Sequence, residues 1–454
     1  MMRSNPVHRY LPAIGLVSVF YGINIVLGLG RDSLLAAKFG ATEQLDALLL
    51  GLNFVRTLGI SLALAVAGVM IPFFTPIILA NNSRLVLNLS YRWLGASMIA
   101  LIPFSLLIAC FAAPVAKLLG PGLNDAGLRE LSRVLLILSP LLIILACAGL
   151  GKALSESYGT YFAYPLFLGC CTLGLIAGVL LASPLGVQSA ALGMLGGGVA
   201  GLAVQTCLLG RRAPLKKAWL IETPPPFVPL AAGPKLPIKN VLFLLGSSLL
   251  VLLQGVVERA YASQLPPGSV VALSLSLNIL GVPSTLVLPA VSAVLLPVLS
   301  RLEQQGRSKR FGLPLQHYLI IILLTSSATL VLFLSSDFLV RLLFLRGKFT
   351  EEAASLTSMI IKLMSISLIA YILITVLRQV LIARHLMAHD AVISGIALAT
   401  KISLLQILVP RYGIFGLIAA LVVTTFGTSA LYIGLIYYSY QQKAISQRDN
   451  DEWQ

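Results

Sequence analysis

Uncharged apolar stretches of about 20 residues recur along this chain, and no other feature narrows its fold so far. Leu11 to Gly30, Leu315 to Ser336 and Gly413 to Tyr438 are examples. At about 1.5 Å per residue, each is long enough as a helix to cross a hydrocarbon layer about 30 Å thick. A water-soluble core cannot absorb so much apolar surface, since 58% of the 454 residues are hydrophobic and 11% are charged. Ordinary globular chains carry about 25% charged residues.

Hydropathy and breakers predict helices near 11–30, 46–79, 88–115, 129–150, 161–183 and 188–209, then 240–262, 270–300, 315–336, 353–379, 386–408 and 413–440. The expected fold is an all-α integral membrane protein of about 12 transmembrane helices in two six-helix lobes, at 1–210 and 240–440. A basic, proline-rich cytoplasmic linker at 211–239 and a cytoplasmic tail at 441–454 complete the chain. The first hydrophobic stretch follows Arg3, His8 and Arg9 as a signal peptide would, but no small-residue cleavage site leads into a soluble domain, so it is read as a retained helix. The five cysteines all lie in apolar segments of the first half and have no metal-ligand spacing.

The formal net charge of +16 would suggest nucleic acid in a soluble protein. Here the basic residues fall mostly in alternate loops, which makes them a topology signal, places both termini in the cytoplasm and removes nucleic acid as a partner. The linker holds Arg211, Arg212, Lys216, Lys217, Lys235 and Lys239 around Pro224, Pro225 and Pro226, and reads as a stiff strap at an anionic leaflet.

Two spacings repeat. Arg31 precedes Gly40 by the separation at which Arg259 precedes Gly268, and Asn53 precedes Pro72 as Asn278 precedes Pro297. One helix pair thus occurs twice. With an even number of helices per half, the copies share an orientation and are expected to be related by a pseudo-twofold axis along the membrane normal.

Charged side chains at a membrane helix centre cost about 2.5–3.5 kcal/mol even on insertion scales, so they face protein or a wet cavity and can outline a pathway. Asn24 and Arg31 share a face of the first helix, and Asp46, Asn53 and Arg56 share one of the second. Ser247, Gln254, Glu258 and Tyr261 line up on the seventh, beside Arg259, while Ser274, Asn278 and Gly281 fall at helical spacing on the eighth. The functional expectation is a water-filled cavity lined by Arg31, Arg56 and Arg259 with these amides and acids, suited to an anionic head group. The competing expectation is structural: Arg31 closes on Asp32, and Glu258 or Asp46 pairs with Arg259 or Arg56. Lys362, Arg378 and Lys401 are expected to snorkel toward an interface.

Some motif-like strings fail on context. Gly196, Gly198 and Gly201 satisfy a dinucleotide-binding glycine pattern, but they sit in a membrane helix with no preceding strand, where close helix packing is the expected use. His385 and His389 lack the intervening Glu of a zinc protease. No catalytic constellation and no metal site emerges.

The stretch VLGLGRDSLLAAKFGATEQLDALLL, from Val26 to Leu50, resembles the opening of the MviN/MurJ group of lipid II flippases, in the multidrug, oligosaccharidyl-lipid and polysaccharide exporter superfamily. SVVALSLSLNILGVPSTLVLPAVSAVLLPVLSR, from Ser269 to Arg301, and LRGKFTEEAA, from Leu345 to Ala354, extend the likeness over most of the chain. The resemblance implies two six-helix lobes, an internal cationic cavity, and export of a polyprenyl-diphosphate-linked saccharide across the bacterial inner membrane by alternating access. Arg31 and Asp46 match family positions. Asn24 and Ile25 stand where the family tends to have a basic residue, Asn278 where an Arg is common before Pro283, and Gly59 at a further basic position, with Arg56 one turn away. Many members carry two helices beyond the twelfth, where this chain is expected to stop. A flippase for an exopolysaccharide or O-antigen unit fits these residues nearly as well as one for lipid II.

The expected partners are therefore an anionic lipid-linked saccharide and membrane lipids, handled by a monomeric transporter. No cofactor is expected, and coupling is assigned to the membrane potential or a monovalent ion. The alternatives are a cation-coupled multidrug exporter of the same superfamily, which would want more cavity carboxylates than Asp46 and Glu258, and a non-transporting scaffold for glycan assembly. A membrane enzyme would want large polar outside loops, and the loops here are short.

Overall fold

The computed structural model describes residues 6–79, 83–181, 185–212, 238–284, 315–383 and 386–452, and among them no strand occurs. In chain order the helices are α1 (Pro6–Phe39), α2 (Glu43–Leu79), α3 (Ser83–Cys110), α4 (Ala112–Leu119), α5 (Asp125–Leu138), α6 (Leu141–Ser157), α7 (Ala163–Leu181) and α8 (Gln188–Arg212). They continue as α9 (Ile238–Ala262), α10 (Ser269–Ser284), α11 (Leu315–Phe344), α12 (Glu351–Ser365), α13 (Ser367–Ala383) and α14 (Met387–Glu452). Among the described residues eight helices are long and apolar enough to cross a membrane, or nine when α12 and α13, bent by 50° at their junction, count as one span. The expected helix at 270–300 can be followed to Ser284. Its remainder with Pro297, the linker from 213 to 237 and His385 lie outside the described residues.

Where the helices break, the sequence supplies a reason. The expected helix at 129–150 is two pieces: α5 ends at Leu138 and α6 starts after Pro140, which has no N–H to continue the ladder. The carbonyl of Ser139 finds another donor, the Ser105 hydroxyl, at 2.8 Å. α5 begins at Asp125 because Asn124 caps it, accepting from Gly127 N at 2.8 Å. α14 joins two helices across Gly413, whose φ of 55° is open to glycine at little cost. The segment after 440 continues that helix to Glu452.

The chain divides into two compact units. The first comprises Met1–Pro237 and draws in Pro266–Val271 and Arg346–Thr350; the second comprises Ile238–Leu265, Ala272–Leu345 and Glu351–Gln454. In the first, α2 packs on α5 and α6, and α1 and α8 pack on α7. Leu45, Leu48 and Leu52 of α2 are fully buried, as are Leu131, Leu135 and Leu138 of α5. In the second, α14 packs on α9 and α13, with a core of Val376, Leu377, Val380, Leu381, Ile393, Tyr432 and Ile436. Large apolar side chains such as Ile99 and Leu181 point outward, 77% and 84% exposed, as a lipid-facing surface permits.

α7 and α8 meet backbone to backbone. A Cβ on Gly174 would lie 2.4 Å from Gly193 O, and one on Gly197 would lie 2.4 Å from Cys170 O. Such small-residue seams let membrane helices approach closely and gain dispersion contacts. On α8 the glycines of the seam are thus Gly193, Gly197 and Gly201, and on α7 they are Gly174 and Gly178, whereas Gly196 of the expected set meets nothing within 4 Å. Gly193→Val is expected to separate the pair and destabilise the first unit by about 1–3 kcal/mol, the usual cost of overpacking. Thermal unfolding in detergent measures this, and an unchanged midpoint would dismiss the seam.

The segments drawn into the first unit are also held by glycines. Gly40, Gly268 and Gly347 have φ of 70°, 88° and 60°. A Cβ on Gly347 would sit 2.3 Å from Ala37 O, and one on Gly268 would sit 2.7 Å from Ala41 O. Lys348 N donates to Ala37 O at 2.8 Å, so the GKFT stretch folds over the end of α1. The repeated Arg-to-Gly spacing ends both times on a left-handed glycine.

Candidate transport site

The polar residues of the membrane helices fall into one set in each unit. In the first unit, Arg31 is closed on its neighbour Asp32: Nε and Nη2 donate to Oδ1 at 2.8 and 2.6 Å, and the two residues are 5% and 2% exposed. Here the structural expectation, not the open cation, describes Arg31. Asn24 is engaged in helix packing, since its Nδ2 donates to Phe20 O at 3.0 Å and to Pro165 O at 2.8 Å, tying α1 to α7.

Asp46 departs from both expectations. It neither pairs with Arg56 nor offers its oxygens to a cavity; Oδ2 accepts from Gly268 N at 2.6 Å and Oδ1 from Val271 N at 2.7 Å. A carboxylate 3% exposed is stabilised there by charge-assisted hydrogen bonds to the free amides at the start of α10.

Arg56 is different in kind. It is half-buried on α2, near Arg31 and Asp32, and among the described residues it makes no ion pair or hydrogen bond. Asn53, one turn earlier, is half-buried and likewise makes no hydrogen bond among the described residues. Around Arg56 stand residues that sequence reasoning missed. Tyr164 at the start of α7 is 2% exposed, with a hydroxyl that has no hydrogen-bond partner among the described residues. Lys152 lies with its Nζ 5.4 Å from the centre of the Tyr164 ring and is ion-paired to Glu156. The missing signal was the length of α6, whose last turns carry Lys152 and Glu156 beyond the expected end at 150.

In the second unit, the stripe on α9 faces α14. Glu258 pairs with Lys401, not with Arg259, and both side chains are 13% exposed or less. Gln254 Nε2 is 3.5 Å from Ser394 O, at the limit of a hydrogen bond. Arg259 Nη1 donates to Gly255 O of its own helix at 2.9 Å, and its buried Nε has no hydrogen-bond partner among the described residues. Asn278 is half-buried on α10.

Arg378 and Lys401 do not snorkel. Arg378 Nε lies 3.1 Å from both oxygens of Asp390, and its Nη2 donates to Ser247 Oγ at 2.8 Å. Tyr432 donates to Asp390 Oδ1 at 2.5 Å, and Asp390 is fully buried. A buried carboxylate in hydrocarbon needs such a counter-charge, which outweighs the pull of the head-group region on Arg378. Lys362, the third residue of that group, reaches Asp337 on the surface.

An all-helical bundle among the described residues, in two units and with eight or nine spans long and apolar enough to cross a membrane, defines a multi-pass membrane protein. The family model described as lipid II flippase MurJ matches residues 35–449, and the chain belongs to that family. It is similar to a probable lipid II flippase MurJ of Bdellovibrio bacteriovorus, 28% identical over 181 residues, which cover 40% of this chain and 35% of that protein. A probable lipid II flippase MurJ of Buchnera aphidicola subsp. Baizongia pistaciae is 25% identical over 370 residues, 80% of this chain and 70% of that one. Among solved structures, lipid II flippase MurJ in an inward closed conformation superposes with a TM-score of 0.73 at 18% identity, over 94% of this chain and 87% of its own. That likeness extends the shared fold to nearly the whole chain.

Proposed function

We propose that this protein flips lipid II, or a closely related polyprenyl-diphosphate-linked saccharide, outward across the bacterial inner membrane by alternating access. The observation that carries this reading is Arg56, a half-buried guanidinium within a membrane span that makes no ion pair or hydrogen bond among the described residues. An uncompensated cation is costly at that depth, and a phosphate anion is a bidentate match for its planar fork. In the second unit, taken by itself, Arg259 has an Nε without an acceptor among the described residues, and Gln254 and Asn278 there, like Asn53 in the first unit, carry amides of the kind that bind sugar hydroxyls. Arg31 acts through its pair with Asp32, Glu258 through its pair with Lys401, and Asn24 and Asp46 hold the frame.

In this reading the protein works as a monomer with both termini in the cytoplasm and no cofactor. Moving net negative charge outward across an inside-negative membrane is favoured by about 2.3 kcal/mol per charge per 100 mV, so the membrane potential can drive the cycle.

Arg56→Ala is expected to lower flipping of lipid II in proteoliposomes by on the order of 10- to 100-fold, the value of one charge-assisted contact of about 1.5–3 kcal/mol. Arg31→Ala combined with Arg259→Ala is expected to abolish flipping while the protein still inserts. Wild-type flipping in both variants would defeat the cationic-site reading.

A further inference from the structure

The flippase reading leaves open where in the first unit a diphosphate would sit. Arg31 is closed on Asp32 and 5% exposed, which leaves Arg56 as the guanidinium of this set with no protein partner among the described residues. Its neighbours are the aromatic and charged residues at the junction of α6 and α7. The charges of Arg56 and Glu156 both reach Tyr164, and Lys152 Nζ lies 5.4 Å from the centre of its ring.

Three features of that corner point to an anion. The Tyr164 hydroxyl is buried and has no hydrogen-bond partner among the described residues, although a phenol so placed normally finds an acceptor. Lys152 and Glu156 are an i,i+4 pair within one helix, in the orientation with lysine first, which is the weaker of the two and easily exchanged. Their side chains are 15% and 18% exposed, more open than the 6% and 2% of the Arg31 and Asp32 side chains.

Resting on the flippase reading, we propose that the diphosphate is seated on Arg56, the Tyr164 hydroxyl and Lys152, with Glu156 neutralising Lys152 until the anion arrives. Arg56 holds one phosphate through its fork. Tyr164 donates its free O–H, and Lys152 turns from Glu156 to the second phosphate. Two phosphates then meet two cations and one neutral donor, which favours a diphosphate over a monophosphate. No bond is made or broken; one ion pair is exchanged for another.

The test measures binding of polyprenyl diphosphate and polyprenyl monophosphate to the full-length protein in lipid nanodiscs. Lys152→Gln is expected to weaken diphosphate binding by roughly 10- to 100-fold and to bring it near the monophosphate value, with Lys152→Arg restoring most of the loss. Tyr164→Phe is expected to weaken it by roughly 3- to 10-fold. The exchange Lys152→Glu with Glu156→Lys keeps the helix pair but moves the cation by a turn, so binding is expected to stay weak. Diphosphate binding at the wild-type level in that exchange would reduce the pair to a helix staple and overturn the proposal. If Arg56→Ala weakens binding and Lys152→Gln does not, this inference alone fails. If neither variant weakens binding, the flippase reading fails with it.

Discussion

Replacing Arg378 with alanine is expected to destabilise the second unit by about 3–5 kcal/mol, the cost of leaving one partner of a buried ion pair uncompensated. The carboxylate of Asp390 is fully buried and its neutralisation comes from one guanidinium, which also bonds Ser247, leaving the Tyr432 hydroxyl as its remaining donor. Three elements, α9, α13 and α14, lose their common polar anchor at once. The double variant Arg378→Leu with Asp390→Leu removes both charges and fills their space, so it is expected to recover most of the stability, because burying two ions costs about as much as their attraction returns. Thermal unfolding of the purified protein in detergent distinguishes the two. A single variant as stable as the wild type would show that the pair has no structural weight, and a double variant as damaged as the single would show that packing, not charge, is responsible.

The second large effect is expected at Asp46. Asp46→Ala removes both acceptors from Gly268 N and Val271 N, leaving two donors in a site where the displaced residue was 3% exposed. Two charge-assisted hydrogen bonds of about 1.5–3 kcal/mol each set the scale, less what water recovers, so a loss of about 2–4 kcal/mol is expected. Because Pro266–Val271 joins α9 to α10, the change should also raise hydrogen exchange at Gly268 and Val271 well before the rest of the first unit. Asp46→Asn keeps one acceptor but turns an amide N–H toward the other donor, and should fall between. Unchanged exchange at Gly268 in the alanine variant would refute the cap.

The membrane class and the helical periodicity were legible in the sequence because hydrocarbon allows few alternatives to helices. A repeated spacing also picked out Gly40 and Gly268, although their left-handed backbone was not part of that reading. Charge pairing was harder to read. Lys401 finds Glu258 at a separation of 143 residues, and no local pattern encodes that. Arg378 finds Asp390 only 12 residues on, but across a helix break, where helical spacing predicts nothing. Lys152 and Glu156 were missed because apolar runs end before helices do: α6 continues to Ser157 after its hydropathy has fallen. Asp46 was recognised as out of place in a span, yet its partners are backbone amides, which every residue carries and no sequence distinguishes.

The seam between α7 and α8 also bears on motion. Two backbones in direct contact leave no rotamers to rearrange and no methyl groups to slide past one another, so the hairpin has no soft internal coordinate. It should travel as a stiff beam through any transport cycle, and bending must be taken up where side chains separate the helices. The helix break at Pro140, the kink at Gly413 and the 50° bend between α12 and α13 are the natural places for it.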